Sequence, residues 1–400
     1  MTPPLPLEDA QARLLALAAP RPLEHIAVEE ALGYYLAQPL TARRTQPSAD
    51  LSAMDGYALA PDDLLGPWRI TGESAAGHPY AGVVQKGEAI RISTGAHLPQ
   101  GAAAVLCQED TARQGDTLTL TGTPPVPADK HIRRKGFDFA SGAPLLPAGM
   151  TIGAPHIALA ITAGHTHLPV HRAPRVAIID SGDELAPFGQ PCLPHQIPAS
   201  NGAMLAAMLA DLPCVTTRIG PVPDDLAALV AALDGAPEAD LIITSGGASV
   251  GDHDLIRPAL AQWGAEIDFW RVAIRPGKPL LIAQRGSQIV IGLPGNPISS
   301  LVTAYLFVLP VLRAMLGAAQ ALPTPVTAPL AQALPQGADR REFLRGFWDG
   351  TSLTPRHMRD SSALAAMAAS NCLIEIAPNA PAAAAGTMAR GYLLKNGGII

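Results

Sequence analysis

The chain has 400 residues, 48% of them apolar and only 16% charged, with a formal net charge of −6. Its length exceeds what one hydrophobic core usually serves, and its composition excludes a disordered chain. No block of like charge marks a nucleic-acid or membrane surface, so neither nucleic acid nor membrane is expected as a partner.

The 40 prolines and 37 glycines are scattered without period, the mark of short strands and tight turns. No apolar run is expected to reach the ~18 residues that span a bilayer. The N-terminus, Met1-Thr-Pro-Pro-Leu-Pro, lacks the basic and apolar regions of a signal peptide. The 4 cysteines, Cys107, Cys192, Cys214 and Cys372, lie far apart without CxxC spacing. They predict reduced, structural thiols in a cytoplasmic protein.

In chain order, Leu7–Leu17 carries apolar residues at helical spacing after an acidic start and predicts an amphipathic helix. Val28–Leu36 predicts a second helix, with Glu29 and Glu30 in its first turn. From Leu40 to about Lys130, short β-like runs such as Ala89-Ile-Arg-Ile and Thr117-Leu-Thr-Leu alternate with Gly and Pro. They predict a small β domain. Ala154–Thr162 reads as a short helix. His165, His167 and His171 invite a metal reading, but Thr166-His-Leu-Pro-Val-His alternates like a strand, and the strand is the better account.

From Arg175 onward, strands and helices alternate as far as Leu316. That texture predicts an α/β domain built on a parallel sheet. The strand ends present Asp183 and Glu184; Asp224 and Asp225; Ser245-Gly246-Gly247-Ala248-Ser249 with Asp252 and Asp254; then Arg271, Arg275 and Lys278; and last Pro294-Gly295-Asn296-Pro297. In such a sheet these loops gather at one edge and form the ligand site. The glycines let backbone N–H groups approach an anion. Asn296 suits a helix N-cap and Pro297 the first helical position. The bases suit phosphate or another oxyanion. The carboxylates would repel such a ligand unless a divalent cation lies between. The residues therefore predict a site for a phosphorylated or nucleotide-like ligand, a metal such as Mg2+, and a second oxyanion. No P-loop, dinucleotide fingerprint or hydrolase nucleophile elbow is present. After Gly317, a Pro/Ala-rich linker leads to a C-terminal segment with strand-like runs at Glu342–Trp348, Cys372–Ala377 and Tyr392–Leu394, read as a further small β domain.

Several motifs occur together in one order: Ser52-Ala-Met-Asp-Gly-Tyr-Ala58, Leu98-Pro-Gln-Gly-Ala102 with Glu109, Ile132-Arg-Arg-Lys-Gly136 with Asp138, and Ser181-Gly-Asp-Glu-Leu185. Ser245-Gly-Gly-Ala-Ser-Val-Gly251, Arg275-Pro-Gly-Lys-Pro279 and Gly292-Leu-Pro-Gly-Asn-Pro-Ile-Ser299 follow. In this set, and over nearly its whole length, the chain resembles the molybdopterin molybdenumtransferase family of the MoeA and gephyrin C-terminal-domain type. The resemblance implies the last step of molybdenum cofactor biosynthesis. Adenylylated molybdopterin and molybdate react with Mg2+ assistance, and AMP is released.

The resemblance further implies an elongated multidomain homodimer, with the adenylylating enzyme of the same pathway as a candidate partner. Its α/β part would have the molybdopterin-binding fold. The domains would run 1–39 with 131–170 as a discontinuous N-terminal α+β domain, 40–130 as a small β domain, 171–318 as the α/β domain, and 319–400 as the C-terminal β domain.

The family's functional positions fall on Asp55, Thr94, Asp138, Glu184, Asp224, Asp254, Arg271, Arg275, Pro294, Pro297, Arg345 and Ser361. Glu184, Asp224 and Asp254 would hold Mg2+ or position water. Arg271, Arg275 and Lys278 would hold phosphate or molybdate. Ser245, Gly246, Gly247 and Ser249 with Gly295, Asn296 and Pro297 would seat the pterin and its phosphate. Asp55, Thr94 and Asp138 would come from the neighbouring subunit or domain. Ordinary roles compete: stabilising its turn for Asp55 and capping a helix for Asp254. Ala199 and Phe137 stand where the family often has an acid, and Arg271 and Arg275 stand where lysine is common. These departures keep a non-catalytic binding or scaffold paralogue open, alongside a generic nucleotide-binding transferase.

Overall fold

The computed structural model describes residues 4–246, 255–356 and 363–394. At its centre is a six-stranded sheet in the order Val215–Val222, Arg175–Ser181, Leu241–Ser245, Gln288–Leu293, Pro279–Arg285, Glu266–Arg271. The first four are mutually parallel. Pro279–Arg285 then runs antiparallel to both of its neighbours. The expected parallel sheet therefore carries one reversed strand, Pro279–Arg285, beside an edge strand that runs with the other four. The cause is local: Arg285 pairs with Gln288 across the tight turn Gly286-Ser287, too short for a crossover helix.

Both faces of this sheet are buried, because successive residues are apolar rather than alternately polar. Val176, Ile178, Leu241, Ile243, Leu280, Ile282, Ile289 and Ile291 face one cluster, which includes the Pro297–Met315 helix. Their neighbours Ala177, Ile179, Ile242, Leu281, Ala283 and Val290 face the other, with Leu229, Leu233, Leu260 and Trp263. The Pro297–Met315 helix has 19 residues and a mean hydropathy of 1.7, long and apolar enough to cross a membrane by length and composition. This corrects the expectation that no apolar segment reaches that length. Of its most apolar 18-residue stretch, 83% is buried within the protein, which accounts for its apolarity.

The helix Leu7–Leu17 forms as its spacing predicts, and Leu7, Ala10 and Leu14 join the core cluster of the α/β sheet. It also repairs a backbone defect. Pro310 has no N–H, so the carbonyl of Leu306, four residues earlier, loses its ordinary helical donor. Buried Gln11 supplies a replacement, with Nε2 donating to Leu306 O at 2.9 Å. Gln11→Leu is expected to lower the unfolding free energy by about 2 kcal/mol, because a buried acceptor loses this donor. Urea denaturation measures it, and an unchanged midpoint at unchanged slope would count against this role.

The helix expected over Val28–Leu36 does not form. Only one turn, Val28–Glu30, is helical. Gly33 has φ +81°, Tyr35 bridges Thr151, and Leu36 bridges Val170. Pairing with distant backbone overrides the local helical pattern. Leu23–Ala27 pairs antiparallel with His167–His171, and Val28, Leu36, Leu40, Ile152, Leu168 and Val170 share one core.

His165 and His171 serve the backbone, and His167 Nδ1 lies 3.1 Å from Thr166 Oγ1. His165 Nε2 lies 2.7 Å from Thr41 O, and His171 Nδ1 lies 2.6 Å from Arg21 O. Ala154–Thr162 is helical, as its sequence predicts. The segment between residues 56 and 120 forms a second six-stranded sheet with apolar clusters on both faces.

The C-terminal sheet joins Arg341–Trp348, Cys372–Ile376, Met388–Leu393 and Val326–Pro329, with Leu353–Pro355 paired to the first of these. It also takes in Ile274–Arg275 from the α/β region as a parallel edge strand. The cysteines are all free. Cys107 and Cys372 are buried, whereas Cys192 is exposed and so does not serve the structural role expected of it.

Candidate functional site

The switch point of the central sheet lies between Arg175–Ser181 and Leu241–Ser245. From the first strand the chain moves outward to Val215–Val222 and then returns to the other side. Ligand crevices form at such points, at the carboxyl ends of the strands. Here two strand ends come very close. Gly246 has φ +106°, and a Cβ on it would lie 2.6 Å from Ser181 O, so only glycine fits. Gly246 N–H donates to Leu293 O at 3.3 Å, which ties in a third strand end.

Asn201 braces the same three loops. Its Nδ2 donates to Ser245 Oγ at 2.8 Å and to Gly295 O at 2.7 Å. Beneath it, buried Asp180 accepts the Gly202 N–H at 3.1 Å through Oδ2. Burial pushes the Asp180 carboxyl up from its ordinary value, against the opposing pull of Arg218 and the Gly202 N–H. Asn296 caps the long helix, its Oδ1 accepting from Ile298 N–H at 3.2 Å, with Pro297 in the first turn. Ser245, Gly246, Pro294, Gly295, Asn296 and Pro297 thus meet at one place.

Acids occupy one end of this edge. Glu184, Asp183 and Asp224 are exposed, and Asp183 Oδ1 accepts the Asp224 N–H at 3.1 Å, joining the two loops. The Glu184 carboxylate folds over Gly182. Asp225 caps the Leu226–Asp234 helix through the Ala228 N–H at 2.9 Å. Among the described residues, no ion pair neutralises Glu184 or Asp224, and no group of three or more His, Cys, Asp or Glu side chains is arranged to hold a metal. The described donors, Glu184 and Asp224, do fit Mg2+ chemically, since they offer hard carboxylate oxygens. Asp254, the third carboxylate expected in that set, lies outside the described residues, as do Gly247, Ser249 and Ser361.

Cations occupy the other end. Arg271 closes its strand opposite Pro279, and Val272 N–H donates to Lys278 O at 2.9 Å, so Arg271 and Lys278 adjoin. A cavity of about 260 Å³ is lined by Arg275, Gly277, Lys278, Ser299, Arg340, Glu342 and Arg345, among others. Gly277 has φ +99°, and a Cβ there would meet Thr303 Cγ2 at 2.4 Å. Arg345 is 5% exposed, and its Nη1 donates to Ala363 O at 3.4 Å. From the acid strand to the Arg271 strand there are five strand spacings, roughly 24 Å.

Asp55, Thr94 and Asp138 sit elsewhere. Among the described residues, no hydrogen bond or ion pair joins them to the strand-end loops. Thr94 donates to Asp55 Oδ1 through N–H at 2.6 Å and through Oγ1 at 3.0 Å. The N–H bond first, and then the hydroxyl bond, hold the Asp55 carboxyl below its ordinary value. Asp138 is exposed, and its N–H donates to Gln46 O at 3.0 Å.

Asn201, Asp180, Arg340 and Glu342 are site residues that the sequence reading does not contain. A polar residue closing an apolar strand flags Asp180, but nothing local marks the others. Ala199 is buried and Phe137 is exposed. A second cleft, of about 590 Å³, is lined by Tyr35, Met204, Met208, Leu301, Tyr305 and Arg313 among others. Its walls are mostly apolar, and it opens along later turns of the helices rather than at the strand ends.

Three family descriptions match the chain in sequence: "MoeA N-terminal region (domain I and II)" over residues 5–164, "probable molybdopterin binding domain" over 177–314, and "MoeA C-terminal region (domain IV)" over 327–394. A molybdopterin molybdenumtransferase of Haemophilus influenzae is 34% identical over 350 residues, 86% of each chain. Molybdopterin molybdenumtransferase 2 of Mycobacterium tuberculosis is 33% identical over 398 residues, 93% of this chain and 95% of the relative. The crystal structure of the molybdopterin biosynthesis MoeA protein of Pyrococcus horikoshii OT3 superposes with a TM-score of 0.84 at 26% identity, covering 98% of this chain and 100% of that one. With its switch-point crevice flanked by acids and bases, and with these relatives along nearly its whole length, the chain belongs to the molybdopterin molybdenumtransferase family and is an enzyme of molybdenum cofactor biosynthesis.

Proposed function

We propose that this enzyme inserts molybdenum from molybdate into adenylylated molybdopterin, with release of AMP. The observation that carries the reading is the segregation of charge along one sheet edge. Acids stand over the first strands, N–H-rich glycine loops over the middle, and cations over the last. Spread over roughly 24 Å, this layout suits an elongated ligand with phosphate groups near its middle and an oxyanion at one end.

In this reading, Arg271, Arg275, Lys278, Arg345 and Ser361 hold the oxyanion. Ser245, Gly246, Gly247 and Ser249, with Pro294, Gly295, Asn296 and Pro297, seat the pterin and its phosphate through backbone donors. Glu184, Asp224 and Asp254 would hold Mg2+, which when bound supplies charge neutralisation at the phosphoanhydride. Glu184 and Asp224 orient the water that meets the adenylate phosphorus.

Asp55, Thr94 and Asp138 come from a second copy, which makes the active protein a homodimer. Their lack of contact with the strand-end loops within one chain supports that assignment. The domain division is 1–39 with 131–170, 40–130, 171–318 and 319–400. The Leu7–Leu17 helix, although in the first of these, packs on the α/β core. The protein acts in the cytoplasm and receives its nucleotide-bearing substrate from an adenylylating enzyme.

The test is AMP release from adenylylated molybdopterin, molybdate and Mg2+. Glu184→Ala is expected to slow it on the order of 100-fold, the size expected when a group that positions a reactant is removed. Wild-type protein that releases no more AMP than this variant would sink the proposal.

A further inference from the structure

Among the described residues, the cation-lined cavity contains one acid. Glu342 is 4% exposed and stands on the cavity wall with Arg275, Lys278, Arg340 and Arg345. Its Oε1 lies 3.8 Å from Arg275 Nη1. The fold enforces this proximity, because Ile274-Arg275 adds to the C-terminal sheet in parallel register, with Arg275 opposite Glu342. A buried carboxylate is costly to retain, and beside a site for a dianion it is electrostatically adverse. Its presence there needs a reason other than anion affinity.

We infer that Glu342 is a positioning residue that shares the charge of Arg275 and thereby limits how tightly the cavity retains its oxyanion. The inference rests on reading the cavity as the oxyanion site. An enzyme that passes its oxyanion on to a second substrate gains nothing by holding it tightly in the ground state, since uniform binding lowers KM without raising kcat. Arg275 is 44% exposed at its side chain, against 5% for Glu342. The arginine is therefore the mobile member and the glutamate the fixed one. An arriving oxyanion competes with Glu342 for the same guanidinium, and a departing one leaves the guanidinium a ready partner. The carboxylate thus acts as an exchange partner that keeps the cavity from becoming a trap.

The test measures binding of molybdate, tungstate and sulfate by calorimetry, and turnover by AMP release, for wild type, Glu342→Gln, Glu342→Asp and Arg345→Ala. Gln keeps the volume and removes the charge. Glu342→Gln is expected to bind molybdate about tenfold more tightly or better, because a like charge is removed from a partly dehydrated site. Its KM for molybdate and its kcat are both expected to fall, the signature of a ground state made too stable. Glu342→Asp, which restores the charge, is expected to return toward wild type. A residue that merely supports the fold would weaken binding when replaced, so weaker or unchanged binding in Glu342→Gln overturns the inference, as does tighter binding with undiminished kcat. If wild type does not bind molybdate, or Arg345→Ala binds it as well as wild type, the cavity is not the oxyanion site and both readings fall. If Arg345→Ala loses binding while Glu342→Gln does not gain it, only the role of Glu342 falls.

Discussion

Arg345→Ala is expected to lower kcat/KM for molybdate on the order of 10²- to 10³-fold, the loss typical when a preorganised charge is removed from a dehydrated site. Arg345 is 5% exposed and lines the cavity with Lys278, Arg275 and Ser299. Its burial fixes its orientation before the anion arrives, so little is spent on ordering it at that moment. Arg345→Lys is expected to recover only part of the loss, because an ammonium keeps the charge but not the planar fork. Kinetics with varied molybdate, beside a melting curve for each variant, separate this from misfolding. An Ala variant that stays folded and retains wild-type kcat/KM would remove Arg345 from the site.

Asp240→Ala is expected to lower the unfolding free energy by about 3 kcal/mol, the low end for breaking a buried ion pair, since one arginine partner is partly solvated. Asp240 is held from three directions. Oδ1 accepts from Arg21 Nη1 at 3.1 Å and from Arg172 Nη2 at 2.8 Å, and Oδ2 accepts the Arg175 N–H at 2.8 Å. Truncation leaves two guanidinium groups facing an apolar gap. Burial alone would raise the Asp240 carboxyl, but Arg172, the Arg175 N–H and Arg21 outweigh it and hold it below the ordinary value. The sign follows. A carboxylate depressed in the folded state adds stability above its unfolded value of about 3.9 and loses it as pH falls through the folded value. Wild type is therefore expected to lose stability more steeply than Asp240→Asn below about pH 4. Urea titrations at pH 7 and pH 3 measure both effects, and equal midpoints for the two proteins at pH 7 would refute the clamp.

The strands of the central sheet were readable because consecutive apolar residues report burial on both faces, a purely local property. The final hairpin of the sheet was not, although Gly286-Ser287 offered a turn. Val28–Leu36 misled because Glu29 and Glu30 fit a first helical turn, while the pairing of Leu36 with Val170 lies far along the chain. Within the site, Ser245–Gly246 and Gly295–Pro297 declared themselves through glycine, cap and proline chemistry. Asn201 did not, since its two acceptors lie 44 and 94 residues away. Glu342 was hidden for the same reason, because its partner Arg275 comes from the α/β segment, far along the chain, and meets it only when the two strands pair.

By itself, then, the sequence determined which segments become buried strands, where they end, and what chemistry each ending carries. These properties depend on neighbours a few residues apart. Tertiary structure alone decided that the acids and cations stand at opposite ends of one edge, that Asp55 and Thr94 stand apart from both, and that the buried carboxylate of Glu342 sits among the cations. Those arrangements depend on strand order and register, in which residues distant in the chain share one hydrogen-bonded ladder, and no local pattern encodes them.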